Sequence, residues 1–171
     1  MALGAALAGL ATAPASRGAE QLNLFIWSEY MPDEALREFE KRHNCKVVVD
    51  LYEEAESMMA KLQAAGGAYD VVVPPDHTVA ALVQLQLIAP LDLAQIPNLR
   101  HLDPKFASPP FDPGNRHTVA YQWGTVGVYA RRDPSAPLEE SWSVFFDAAK
   151  QRGDFMLIDS MRDMIGAGLK H

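Results

Sequence analysis

Trp27-Ser28-Glu29-Tyr30 is the stretch whose residue types and spacing point most directly to chemistry. It closes an apolar run, Leu22–Trp27. A Trp and a Tyr exposed at a strand end can wall a pocket for a cation, which the ring faces attract through their quadrupoles. The same rings would serve equally well in ordinary packing. Asp159 and Asp163, four apart with Arg162 between them, could hold an ammonium group, or they could cap a helix and pair with Arg162. Glu53, Glu54 and Glu56 stand where a helix is expected to start, and there acids complement the helix dipole. His77 falls at the mouth of a third expected strand, where a lone His more often caps or faces solvent.

The remaining reactive residue types form no catalytic pattern. His43, His77, His101, His117 and His171 have no metal-ligand spacing, so no metal is assigned. Gly66-Gly67 lacks the Lys-Ser/Thr that completes a phosphate loop, and no G-x-S-x-G occurs. Cys45 lies between a helix and a strand with no evident base, and a single Cys excludes a disulfide framework within the chain. An enzymatic reading therefore has no named nucleophile; a small α/β enzyme or sensor domain stays as an alternative, and the expectation is a binding protein, no enzyme, with no cofactor. Its 22 Asp+Glu against 15 Lys+Arg, a net charge of −7, argues against binding a nucleic-acid backbone and suits a cationic ligand.

The elements that must position these residues alternate. Leu22–Trp27, Lys46–Leu51 and Asp70–Val73 read as strands, apolar or β-branched. Between and after them, helices are expected from Pro32 to Asn44, over Glu53–Ala65 and over Thr78–Leu87. Such alternation predicts a parallel sheet with helices on both faces, whose ligands lie beyond the carboxyl ends of the strands. Residues 88–117 carry six prolines and predict a long irregular segment. Thr118–Trp123, Val126–Ala130 and Phe155–Ile158 read as further strands, Leu138–Gln151 as a helix, and Met161–Leu169 as the start of another. Met1–Ala15 resembles the later part of a secretory signal, ending in Ala13-Pro14-Ala15, although no basic residue precedes its apolar run. Beyond it no apolar run is long enough to span a membrane.

Several strings, in order and at near-constant spacing from about residue 22 onward, together resemble the periplasmic polyamine-binding proteins, the spermidine/putrescine-binding components of ABC transporters. They are LFIWSEYMP (Leu24–Pro32), Tyr52-Glu53 with Glu56 and Met59–Leu62, YDVVVP (Tyr69–Pro74), the stretch Gln95–Asn115 with its PFDPGN, YQWGTVG (Tyr121–Gly127) and LIDSMRD (Leu157–Asp163). The resemblance implies a type II periplasmic-binding-protein clamshell, an α/β fold with a mixed sheet and helices on both faces. Its cleft would enclose a linear polyamine, with ammonium groups on carboxylates and methylenes along aromatic rings. It carries ligand contact onto Trp27 and Tyr30, onto Ser28 and Glu29 beside them, and onto Asp159, Ser160 and Asp163. It also implies export to the periplasm and docking to the permease subunits of an ABC importer, peripheral to the membrane.

Three departures accompany the resemblance. Pro75 and His77 stand where the family often has a Ser and an aromatic residue. Pro75 cannot donate a hydrogen bond, and a protonated His77 would repel a polyamine while a neutral one can stack or bond. Ala120 replaces a common Pro. The third departure is length, since family members are roughly twice as long. The expected organisation is a leader over 1–19, most of the first lobe over 20–130 and an incomplete start of the second lobe over 131–171. Two alternatives accompany this reading: a receptor for a different small solute, marked by Pro75 and His77, and a truncated product that binds nothing.

Overall fold

The computed structural model describes residues 20–131 and 133–171. The leader expectation falls on residues 1–19 and lies outside them. The chain divides into two compact units, one ending at Tyr121 and the other Gln122–His171.

The first unit is built on a parallel sheet of order β2-β1-β3. Strand β1 (Glu20–Trp27) pairs along its whole length with β2 (Cys45–Tyr52), from Glu20 opposite Cys45 to Trp27 opposite Tyr52. On its other side β1 pairs with the short β3 (Val71–Val72) through Leu24 and Phe25. Where a strand is flanked on both edges and covered on both faces it must be apolar, and Leu24, Phe25 and Ile26 are all buried. Among the described residues every strand pairing is parallel.

The pleat sends alternate side chains of β1 to opposite faces. Leu24 and Ile26 join Val47 on one face and meet Leu36 of helix α1 (Asp33–His43). Phe25 joins Tyr52 on the other, against Met58 and Leu62 of α2 (Ala55–Ala65) and Leu82 of α3 (Asp76–Gln84). Helices thus cover both faces, as the alternation of elements predicts.

Local chemistry sets the helix ends. In α1, Asp33 and Glu34 lie in the first turn and Lys41, Arg42 and His43 in the last, each sign matched to the helix dipole. Asn44 ends it in the left-handed region at φ 49°. Asn tolerates that conformation better than a residue that lacks a short polar side chain. Asn44→Ala is therefore expected to destabilise by about 1 kcal/mol, and Asn44→Gly to be neutral or stabilising, measured by urea denaturation. Helix α2 begins at Ala55, two residues later than expected, because Glu54 is still extended at φ −142°. Of the three glutamates only Glu56 enters its first turn. Helix α3 begins earlier than expected: Pro75 supplies a pre-set φ of −67°, Asp76 opens the first turn, and the Thr78 hydroxyl donates to the Pro75 carbonyl at 2.8 Å.

The proline-rich segment is irregular, as expected, with three short 3-10 turns at Leu93–Gln95, Pro97–His101 and Pro104–Phe106. Asp92 and Asp103 close two of them by accepting from Ala94 N–H and Lys105 N–H. The segment is pinned by Asp112, which is 3% exposed. Its carboxylate accepts from the backbone N–H groups of His117 and Thr118 at 3.0 and 2.7 Å, and from the Thr118 hydroxyl at 2.8 Å.

Three expected strands are corrected. Thr118–Trp123 and Val126–Ala130 are not strands, and neither is Phe155–Ile158; all are irregular. A strand exists only through its ladder, since an unpaired extended segment leaves its N–H and C=O groups to solvent. None of these segments pairs with another described strand. Their apolar side chains are correspondingly open, with Tyr129 100% and Met156 93% exposed.

The expected helix Leu138–Gln151 is corrected to one turn, α4 (Ser143–Phe146). Asp147 ends it by leaving the helical region, at φ −99° and ψ 111°. Its side chain accepts from Ala149 N–H at 2.9 Å, the local competition by which Asp breaks helices. Helix α5 (Met161–Gly168) forms where expected. In this second unit Trp142, Phe145 and Phe155 make a small aromatic group, with centroids 6.3 and 5.4 Å apart along the series.

Candidate functional site

Strands β1 and β2 end in register, so Trp27 and Tyr52 lie side by side on the face that carries α2 and α3. The Trp27 ring meets Tyr52 edge to face, with centroids 5.1 Å apart. Beyond Trp27 the chain turns sharply toward α1. Ser28 N–H donates to the Tyr52 carbonyl at 3.3 Å, and Tyr30 N–H donates back to the Trp27 carbonyl at 3.4 Å. Glu29 takes a left-handed conformation, φ 61°. This reversal returns Tyr30 to Trp27, ring centroids 6.2 Å apart, so the two aromatic residues named from the sequence are brought together.

A cleft of 290 Å³ opens at this turn. It is lined by the apolar residues Ile26, Met31, Leu36, Val49 and Leu51, by Trp27, and by two acidic residues, Glu29 and Asp33. Both acids are exposed. An aliphatic cation is the ligand class such walls suit, since the carbon chain and the charge each find a partner. A wider depression of 460 Å³, lined by Val83, Gln86–Pro90 and His117, brings no carboxylate and no indole or phenol ring.

Tyr52 stands behind the turn, with 5% of its surface exposed. Its hydroxyl donates to the Val73 carbonyl at 2.5 Å, tying the end of β2 to the end of β3. Burial, and the neighbouring Tyr30, push its pKa up to about 12, so the hydroxyl stays a donor across the working pH range. The aromatic contacts continue inward. Phe25 meets Tyr52 at 5.1 Å and stacks on Tyr69 at 4.6 Å. Asp50 binds the Lys61 ammonium at 2.6 Å and accepts from the Tyr69 hydroxyl, and Lys61 lies 5.1 Å above the Phe25 ring. Those two bonds hold the Asp50 carboxyl below its ordinary range, and the bond to Asp50 raises the Lys61 pKa. An ammonium on a carboxylate beside a ring is thus already satisfied once within this unit, by the chain's own lysine.

His77 lies in the first turn of α3, its N–H on Asp76 Oδ1 at 2.6 Å and its Nδ1 3.7 Å from the same oxygen. In the second unit, Ser160 is the N-cap of α5 and accepts from Asp163 N–H at 3.3 Å. Asp159 and Asp163 are exposed. The cap of α5 is thus Ser160, not Asp159 or Asp163, for which the sequence leaves capping as one of two readings.

Residue patterns gave Tyr52, Asp50 and Lys61 no role. Tyr52 ends a β-branched strand, where an aromatic residue reads as core, and its hydrogen bond spans 21 residues. Asp50 and Lys61 come from different elements, so no local spacing joins them. Among the described residues no group of His, Cys, Asp and Glu is arranged to hold a metal. No described helix is long and apolar enough to cross a membrane.

The family model described as bacterial extracellular solute-binding protein matches residues 34–170. The putrescine/cadaverine-binding protein of Pseudomonas aeruginosa is 34% identical over 171 residues, covering 96% of this chain and 48% of that protein. The spermidine/putrescine-binding periplasmic protein of Salmonella typhimurium is 32% identical, covering 99% and 49%. Among solved structures, the TpPotD lipoprotein of Treponema pallidum superimposes with a TM-score of 0.72 at 30% identity, over 88% of this chain and 47% of that one. The chain spans about half the length of the curated relatives it matches.

Proposed function

The chain belongs to the family of bacterial extracellular solute-binding proteins, and on that premise we propose that it captures polyamines of the spermidine/putrescine class outside the cytoplasm for an ABC importer. The observation that carries this reading is the cleft at the end of β1, where Trp27 and two acidic residues, Glu29 and Asp33, join an apolar lining. In it an ammonium group sits on a carboxylate and against an aromatic face, and the methylenes lie along the apolar side chains. Ser28 and Tyr30 frame the turn, and His77 offers a ring nitrogen or ring face from the start of α3. In the second unit, Asp159 and Asp163 offer exposed carboxylates, of the sign an ammonium needs, and Ser160 lies between them as a half-buried hydroxyl. The names of the relatives support the ligand class, and the net charge of −7 favours approach of a polycation. Docking to permease subunits and export to the periplasm follow from the same family reading.

The test is calorimetric titration of the chain with spermidine and putrescine at low and moderate salt. Saturable binding that weakens as salt rises is expected, because screening acts on exposed carboxylates. Trp27→Ala should weaken it by about 2- to 30-fold, the range that one cation–ring contact represents. Stronger binding of a neutral diol or a dicarboxylate than of either polyamine would overturn the reading.

A further inference from the structure

The turn that presents Trp27 and Tyr30 does not hold its own shape. Its internal hydrogen bond, Tyr30 N–H to Trp27 C=O, is long at 3.4 Å. Glu29 sits at φ 61°, a conformation costly for a side chain that, unlike Asn, does not favour it, so its surroundings must hold it. Two tyrosines from distant parts of the same unit supply those surroundings. Tyr52 braces the turn from below: its ring abuts Trp27, its carbonyl accepts from Ser28 N–H, and its hydroxyl is locked to Val73. Tyr121 reaches the far end, where its hydroxyl donates to the Tyr30 carbonyl at 2.7 Å. That bond is shorter than either backbone bond at the turn, and it joins residues 91 apart in sequence.

We propose that Tyr52 and Tyr121 are positioning residues, which clamp the Trp27–Tyr30 turn at its two ends and so pre-form the aromatic wall of the ligand cleft. As a role in ligand binding, the claim rests on the polyamine reading. As a claim about the free protein, it does not. A preformed wall spares the ligand the cost of ordering two rings and a strained turn, so losing a clamp lowers affinity without removing a ligand contact. Tyr121 has a second consequence. It ends the first unit, so the bond to Tyr30 fixes the last residue of that unit to the site turn.

The chain labelled with 5-fluorotryptophan gives one fluorine resonance for each of Trp27, Trp123 and Trp142, and Trp27→Phe identifies the first. In ligand-free protein, Tyr52→Phe and Tyr121→Phe are each expected to shift or broaden the Trp27 resonance while the other two stay in place. Both variants keep the ring, so the urea midpoint should change far less than the Trp27 signal does. Spermidine affinity should fall by about 2- to 10-fold in each variant, the effect of one net hydrogen bond. A Trp27 resonance that neither variant moves would overturn the clamp, whatever the affinity. A moved resonance with unchanged spermidine affinity would overturn the role in binding. If the native chain binds no spermidine, the polyamine reading fails, and the fluorine signal alone decides the clamp.

Discussion

Phe25→Ala is expected to destabilise the first unit by about 3–5 kcal/mol, among the largest effects of any single substitution in this chain. Phe25 is fully buried at the centre of β1. It packs on Tyr52 at its edge and Tyr69 at its face, with Met58, Leu62 and Leu82 closing the same cluster. Truncation removes the transfer free energy of the ring and leaves a cavity that two helices and a sheet cannot close. It also removes two aromatic contacts, worth about 0.5–1.5 kcal/mol each beyond area burial. Domains of this size are stable by about 5–15 kcal/mol, so the loss is a large share of the total. In urea, the midpoint followed by far-UV circular dichroism should fall by about 2 M. A fall of less than 0.5 M (about 1 kcal/mol) would mean that the ring is not enclosed on both sides. Because Tyr52 leans on Phe25 and Trp27 leans on Tyr52, the same substitution should loosen the ligand cleft before it unfolds the sheet.

The second large effect is expected at Asp112. Asp112→Ala leaves the backbone N–H groups of His117 and Thr118 and the Thr118 hydroxyl without their acceptor, in a place where water has little access. Each orphaned donor costs about 1–3 kcal/mol, so a loss of about 3 kcal/mol or more is expected at neutral pH. Asp112→Asn keeps the shape and one acceptor oxygen and should lose less. Burial alone would raise the Asp112 carboxyl, but the bonds from Thr118 and His117 outweigh it, and the net direction is downward. A native pKa below that of the unfolded chain means that this stabilisation is fully present above about pH 4, the ordinary carboxyl value. It is lost as pH falls through the lowered native value. The gap in urea midpoint between wild type and Asp112→Ala should therefore be present above about pH 4 and narrow in more acid solution. A gap that does not narrow at about pH 2 would contradict the assignment.

Legibility from sequence followed the range of the interactions. The α1 cap at Asn44, the acids and bases at its two ends, and the apolar run of β1 are consequences of neighbours in the chain, and each could be read there. The segment Leu138–Gln151 could not, because its aromatic spacing suggested a helix while Asp147 offered the backbone a competing local bond. The extended segments 118–123, 126–130 and 155–158 have strand-like composition but no ladder. Composition expresses fitness for a sheet, whereas a strand forms only when a partner edge is present.

The site divides along the same line. Residue order alone places aromatic and acidic residues beyond the first strand, makes the chain acidic, and shows no nucleophile or metal-ligand spacing beside them. Those are properties of residue identity and local order. Folding in three dimensions is what sets Trp27 against Tyr52, puts Asp33 and Glu29 in one cleft, gives Asp50 to Lys61, and brings Tyr121 back to Tyr30. These contacts join residues from different elements. They exist because the parallel register ends β1 and β2 together and the later chain returns to that edge, a geometry that no local spacing contains.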